Sequence, residues 1–421
     1  MINNSKQESA NTIYAGFIFL LLLCFGFMIA EIINNRFWLS DFEVYYKAAQ
    51  RISASDNLYR HAEDGHYVFK YSPTSAILFI PFTIFQFTSA KYIYWTLLSF
   101  IIGSGFYLCI KLLQPNYLLN KEKKIVNGII FLAILILALH FLRELHLGQV
   151  NNLLLFIYIM AIYFHQKDKW LIAVILLSVS VFIKPFAFIF IPYFLIKKNY
   201  REVFSFFAAT ILLAVLPFLF YDSSEIAMAQ YQQWFHELKI ELSLKQGLLS
   251  DANHTIFSVL ARYSPIKFFV TTPFRTLMYQ GILLLLIGLF VLYFIRITSK
   301  IKSSVQEKYY TIMDFILLIS LIPLLAFTSE NAFIYTQLLV FVILIYFKKL
   351  VIHEKIIAIV GFLFIGGNFA EIIGKKLSQT IDNISLVSFG TILLIYLLFV
   401  LKKKDLLRIE VVKQEKIKNE L

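Results

Sequence analysis

Residues 13–30 read IYAGFIFLLLLCFGFMIA, eighteen consecutive positions without a charge. At about 1.5 Å rise per residue the run covers most of a ~30 Å hydrocarbon layer. Lys6 precedes it but no small-x-small cleavage site follows, so it reads as a retained signal anchor and not as a removable signal peptide. The rest of the chain repeats this character. Of 421 residues, 59% are apolar, 17% aromatic and 15% charged, whereas a soluble protein carries ~25% charged residues. So few charges cannot clothe a soluble surface, which excludes an ordinary cytosolic enzyme, a disordered chain, collagen and a coiled coil. An all-α polytopic membrane protein is expected. Cys24 and Cys109 both lie inside apolar runs, leaving neither a disulfide scaffold nor a cysteine metal cluster.

Apolar runs of spanning character occur near 12–33, 91–113, 125–142, 150–165, 170–196, 203–220, 277–296, 311–328, 332–347, 356–373 and 386–401. The run at 170–196 is interrupted by Lys184-Pro185, and residues 74–88 are apolar but short, with Pro81 in the middle. Placing 74–88 in the outer interface and reading 170–196 as two short helices gives about twelve spans with both termini inside. Of the 39 cations, 24 then lie inside and 15 outside, as positive-inside asymmetry requires. Treating both segments as single full spans gives 20 against 18, with Lys184 in mid-membrane and residues 143–149 on the opposite face; this rival arrangement stays open. In the twelve-span arrangement eleven acids also lie inside, so the whole net charge of +13 sits on the inner face. That charge reports orientation, and no nucleic-acid partner is expected. Residues 1–401 form one integral membrane domain with large outer loops at 34–90 and 221–276, followed by a basic cytoplasmic tail at 402–421. Multi-pass insertion in the plasma membrane is the expected location.

The first outer loop opens Ser40-Asp41-Phe42-Glu43-Val44-Tyr45-Tyr46. Ser40 with Glu43 has the spacing of a capping box, and Phe42, Tyr45, Ala49 and Ile52 fall on one helical face. An amphipathic helix on the membrane surface is predicted, with Asp41 in its first turn. There Asp41 either complements the helix dipole or offers a carboxylate where a lipid-borne reactive group would sit. The loop continues through Asp56-Asn57-Leu58-Tyr59 to Phe69-Lys70-Tyr71-Ser72-Pro73.

An acid after the first span, then D-x-x-Y, then F-x-Y-x-P and an apolar Pro-Phe run together resemble glycosyltransferase family 87. These are membrane mannosyltransferases of the GT-C class that use polyprenyl-phosphate sugars. Gly148-Gln149-Val150-Asn151 matches the family's G-Q-x-N, Lys184-Pro185 its lysine, and Asn253-His254-Thr255 with Arg262 its N-x-S/T…R element. The resemblance covers most of residues 30–270 and fades at Ser329-Glu330-Asn331, where relatives often carry Ser, Trp and His. It implies a GT-C-like fold with amphipathic juxtamembrane helices in the first outer loop. It also implies an inverting transfer of a sugar, with mannose expected, from a polyprenyl phosphate to a hydroxyl of a glycolipid or polysaccharide at the outer face. The other partners are membrane lipids.

Such a reaction needs a general base for the acceptor hydroxyl and cations for the leaving phosphate, unlike the paired carboxylates of glycosidases. The resemblance puts the base at Asp41. For the phosphate, Lys184 comes first, since a lysine at a broken apolar run usually faces a polar cavity; snorkelling is the alternative. His254 and Arg262 come next, against the plainer reading of a solvated loop, and Asn253-His254-Thr255 is also a formal N-glycosylation sequon. Tyr71, Gln149, Asn151 and Asn253 are candidates for sugar or acceptor contacts; Gln149 and Asn151 could equally be helix caps.

His140 with His146, and His61 with His66, lack the i, i+4 spacing of a helical metal pair. Asp56, Glu63 and Asp64 read as solvated loop acids. No metal and no cofactor is expected, and no P-loop, G-x-S-x-G elbow or G-x-G-x-x-G fingerprint occurs. A transporter or flippase of lipid-linked saccharide is the alternative from another class, but it would favour broken helices in both halves, and only one broken run is seen. A ligase or polymerase of surface polysaccharide is the alternative within the enzyme class.

Overall fold

The computed structural model describes residues 2–113, 123–244, 247–297, 304–327 and 330–420, with side chains for 15–113, 125–240, 247–297, 307–327 and 330–404. Lys121, Ser329 and the side chains of Lys123, Lys124 and the tail beyond Lys404 lie outside these ranges. Every element among the described residues is a helix, the form in which a lipid-embedded segment satisfies its own backbone. The chain divides into two compact units, residues 1–111 with 140–245, and residues 112–139 with 246–421.

The first unit holds α1 (Ile2–Ile33), α2 (Ser40–Ser53), α3 (His61–Asp64), α4 (Pro73–Ile77) and α5 (Phe87–Leu113). It continues with the end of α6 (Lys123–Leu147), then α7 (Asn151–Gln166), α8 (Trp170–Ile183), α9 (Phe190–Ile196), α10 (Tyr200–Ala214) and α11 (Ser224–Leu244). Its core lies where α8 packs on α7 and α10, around buried Leu154, Tyr158, Leu177, Val181 and Phe206. Ser178 crosses this seam by donating to the Phe206 carbonyl at 3.1 Å. The loop after α1 is tied down by polar links. Ser55 donates to the Phe220 carbonyl at 2.6 Å, and the Leu58 amide donates to Gln230 at 3.0 Å. His61 pairs with buried Glu237. Asp64, expected in solvated sequence, instead accepts both arms of Arg51 at 2.5 and 2.7 Å in a largely buried pair. Glu31 at the end of α1 pairs with His146 near the end of α6 at 2.5 Å.

The second unit contains the first part of α6, then α12 (Ile256–Arg262), α13 (Pro273–Arg296), α14 (Ser304–Leu325), α15 (Gln337–Tyr346), α16 (Ile352–Gly366), α17 (Ala370–Ile373), α18 (Lys375–Ile384) and α19 (Leu386–Glu420). Helices α16 and α19 approach closely at a pair of glycines: a Cβ on Gly390 would lie 2.8 Å from the Gly361 carbonyl oxygen. Small residues at a helix crossing permit this contact. Lys402, where the sequence reading begins the solvated tail, is fully buried; it donates to Asp314 of α14 at 2.5 Å and to the Phe294 carbonyl of α13 at 2.7 Å.

Eight helical segments among the described residues are long and apolar enough to cross a membrane, α10 and α15 being counted with their adjoining 3-10 turns as Tyr200–Leu219 and Glu330–Lys349. The other four expected runs form the shorter α7, α8, α9 with the preceding Pro185–Ile189 turn, and α16. Residues 74–88 form no long helix: α4 is followed by a 3-10 turn at Ile80–Ile84 with Pro81 near its start. Several helices outrun their apolar windows because hydropathy does not register a polar first or last turn. Helix α13 starts at Pro273, capped by Thr272, and α6 runs on past Phe141 and Leu142 to Leu147.

Candidate active site

Helix α2 buries Phe42, Tyr45, Tyr46, Ala48, Ala49 and Ile52, a wider face than the four positions read from the sequence. Its start differs from the expected capping box. Leu39 adopts a left-handed conformation (φ 50°) and no side chain caps the helix, while Glu43 pairs with Lys47 at 2.8 Å. The reason is packing: Leu39 is completely buried against the turn at Gly148. Gly148 has φ +70°, and a Cβ there would lie 2.9 Å from Phe42 Cβ and 3.2 Å from Leu39 Cβ. Only glycine meets both demands, so the G-Q-x-N turn closes directly onto the first turn of α2.

That closure sets Gln149 against Asp41, and their side chains hydrogen-bond. Burial pushes the Asp41 carboxyl above its ordinary value, opposed by the Gln149 bond and then by the charges of Lys184, Lys70 and His66. Behind Gln149, the Asn151 amide nitrogen Nδ2 donates to Gln149 Oε1 at 3.1 Å and to Glu144 Oε1 at 2.8 Å. The Asn151 main-chain N–H donates to Glu144 Oε2 at 3.0 Å. Lys184 Nζ donates to Asn151 Oδ1 at 2.8 Å. The structure therefore brings together four of the residues singled out from sequence, Asp41, Gln149, Asn151 and Lys184.

Lys184 reaches this position because α8 breaks beneath it. Its backbone is extended (φ −142°, ψ 131°), Pro185 follows, and the Phe186 amide turns back to the Lys184 carbonyl at 2.7 Å. The Phe182 carbonyl thereby loses its helical donor, and Ser72 supplies two substitutes, its N–H at 3.2 Å and its hydroxyl at 2.8 Å. Ser72 also caps α4, with Pro73 in the first turn. The F-x-Y-x-P segment is thus fastened to the break that exposes the lysine. Tyr71 lies next to that anchor; its hydroxyl is 3.2 Å from the Tyr45 hydroxyl, and its carbonyl accepts from Tyr59 at 2.7 Å. Burial, then Tyr71 beside it, hold the Tyr45 phenol well above its ordinary value, so it remains protonated.

Sequence reasoning missed Glu144, Lys70, His66 and Tyr45 as neighbours of Asp41. Glu144 had a signal: an acid at the end of an apolar run is costly in lipid and rarely idle. It is fully buried. Lys70 and His66 had none, because nothing local in the loop points them toward Asp41.

In the second unit Asn253, His254 and Thr255 are buried, contrary to a solvated loop. Asn253 Oδ1 accepts from the Thr255 N–H at 3.1 Å and hydroxyl at 2.7 Å, and Thr255 caps α12. A buried asparagine that closes its own turn offers no glycosylation acceptor in the folded chain. Arg262 donates to the carbonyls of Asn383 at 2.6 Å and Asn253 at 3.2 Å, and to the Ser385 hydroxyl at 2.6 Å. Asp251 lies 3.3 Å from the same guanidinium. His254 Nδ1 is 2.8 Å from the Ser385 hydroxyl, and its carbonyl accepts from Ser388 at 2.5 Å. These contacts knot residues 251–262 to the 383–388 turn.

Chemically, the first-unit cluster offers one half-buried carboxylate with its proton affinity raised, and the ammonium charges of Lys184, held on Asn151, and of Lys70 acting on it. No group of three or more His, Cys, Asp or Glu is arranged for a metal ion among the described residues. The profile of glycosyltransferase family 87 matches residues 69–320. No curated protein matches the chain.

Proposed function

The chain belongs to glycosyltransferase family 87, and from that premise we propose that it moves a sugar, mannose, from a polyprenyl-phosphate donor to a hydroxyl of a glycolipid or polysaccharide, with inversion. It is a transferase with apolar helices of membrane-spanning length; the donor, acceptor and face of the membrane are the added content. The observation that carries the proposal is the Asp41 carboxylate held by Gln149 beside Lys184.

In this reading the acceptor hydroxyl gives its proton to Asp41 as its oxygen attacks the anomeric carbon. The bond from that carbon to the phosphate oxygen breaks, and the electron pair leaves on polyprenyl phosphate. A phosphate needs cations and not a proton donor to depart, and Lys184 with Lys70 supplies them. Glu144 is fully buried with both oxygens taken by Asn151, so a single carboxylate faces the substrates. One carboxylate acting as base gives a single displacement, hence inversion. Tyr71 and Gln149 are assigned to sugar and acceptor hydroxyls, while Asn151, expected at the same contacts, is buried with its amide engaged by Glu144, Gln149 and Lys184 and is assigned to orienting them. Asn253, His254 and Arg262 hold their own turn, and substitution of Arg262 tests whether they also take a direct part at the donor phosphate.

A GT-C-like arrangement of about twelve spans is proposed by counting the four shorter helices with the eight long ones. The 24 to 15 division of cations supports both termini inside and an outer-face site in the plasma membrane. The test is transfer by the purified full chain in nanodiscs containing acceptor glycolipids, comparing labelled polyprenyl-phosphate mannose with a nucleotide-linked mannose. Label should move from the lipid-linked donor alone, releasing polyprenyl phosphate and giving the inverted anomer. Transfer from the nucleotide sugar alone would overturn the reading.

A further inference from the structure

Glu144 lies behind the candidate active site, in α6, and touches no surface. A buried carboxylate is costly unless its lone pairs are occupied, and both Glu144 oxygens accept from one residue, Asn151, through the main-chain N–H and the side-chain NH2. The consequence lies in hydrogen-bond polarity. A carboxylate only accepts and an ammonium only donates, whereas Asn and Gln amides can face either way. Glu144 therefore forces the Asn151 NH2 toward itself, and Asn151 Oδ1 must turn to Lys184. The second N–H of that NH2 goes to Gln149 Oε1. With its oxygen occupied, Gln149 has only its own NH2 to present to Asp41.

We infer that Glu144 is the positioning residue that fixes the polarity of the whole network, so that Gln149 donates to Asp41 and Asn151 accepts from Lys184. The inference rests on the proposed function only in calling Asp41 the base; the links among Glu144, Asn151, Gln149 and Lys184 stand on the distances. A second control comes through the backbone, where the Gln149 N–H donates to the Glu144 carbonyl at 3.0 Å. In Glu144→Gln the new amide can donate to Asn151 Oδ1. That flips Asn151, brings an NH2 toward the Lys184 ammonium, and removes the donor that fixes Gln149.

The groups facing Asp41 are Gln149, Lys184, Lys70, His66, Tyr45 and Tyr94, with Glu144 behind. A donated bond favours the ionised carboxylate, so its loss raises the proton affinity of Asp41. The experiment follows carbodiimide labelling of Asp41 by mass spectrometry against pH in the purified full chain, since carbodiimides attack the protonated carboxyl. In E144Q the labelling midpoint should rise by about half a pH unit or more, the scale of one lost bond to a charged group. In Glu144→Asp, which stays acceptor-only, it should return most of the way to wild type. A folded E144Q with the wild-type midpoint overturns the inference.

If E144Q alone does not fold, the double change E144Q/N151D carries the test. The introduced glutamine can then donate to the introduced aspartate, which still accepts from Lys184, but Gln149 still lacks its donor. The midpoint should again rise, and a wild-type midpoint overturns the inference. Labelling needs no turnover, so a wild-type chain that transfers no sugar yet shows the E144Q shift would remove the proposed function and leave the network standing.

Discussion

The Asp41 cluster of the first unit and the Arg262 knot of the second are both polar, both built around a half-buried charged side chain, and both expected from sequence as parts of one site. They differ in what the charged group holds. Lys184 is joined to a side-chain amide, and Asp41 to another. The Arg262 guanidinium is joined to two main-chain carbonyls and a turn hydroxyl. A charge held by side chains can turn to a ligand at little cost to the backbone, whereas a guanidinium bound to carbonyls is a splint between chain segments. The first should govern rate and the second stability, and substitutions can separate them.

The largest expected effect is that of Asp41→Asn, which removes the base and should lower transfer by about 10²–10⁴-fold. Its stability should move the other way. Burial raises the folded carboxyl above its unfolded value, so the folded state loses ground as pH rises through that interval, and at neutral pH a neutral amide relieves the cost. Thermal unfolding near pH 7 should show D41N at least as stable as wild type.

Lys184→Met should follow, lowering transfer by about 10²-fold with little change in melting, as when one charge-stabilising group is removed. Arg262→Met should do the reverse, costing about 2–3 kcal/mol by denaturant titration for the lost charged bonds while turnover per folded molecule holds. A raised donor KM at unchanged stability would instead assign Arg262 to the donor phosphate. Gly148→Ala, with its positive φ and 2.9 Å approach to Phe42, should cost about 1–3 kcal/mol and lower the rate as well, because it displaces Gln149. Ser72→Ala should be mildest, about 1 kcal/mol, since the Ser72 N–H still serves the Phe182 carbonyl.

The all-helical class was legible because runs such as 13–30 leave no other backbone solution in lipid. The break at Lys184-Pro185 was legible too, since proline removes a donor and lysine resists burial in hydrocarbon. Helix ends were not, as at α6, where hydropathy cannot see that Glu144 continues a helix because Asn151 occupies its oxygens. The start of α2 escapes local reading for a related reason: Ser40 and Glu43 fit a local rule, but burial of Leu39 against Gly148, more than a hundred residues on, decides the geometry. Asp41, Gln149, Asn151 and Lys184 could be named from order and spacing. That His254 and Arg262 bind Ser385 could not, because no local pattern marks that turn as their partner.

The pH dependence of kcat/KM for the lipid-linked donor tests most directly whether a buried, ionised Asp41 acts as base. The rate should be full at neutral pH and fall with a single-proton acid limb whose midpoint lies above the ordinary carboxylate value of about 4. A rate that stays flat in the folded enzyme down through pH 4 would contradict that role.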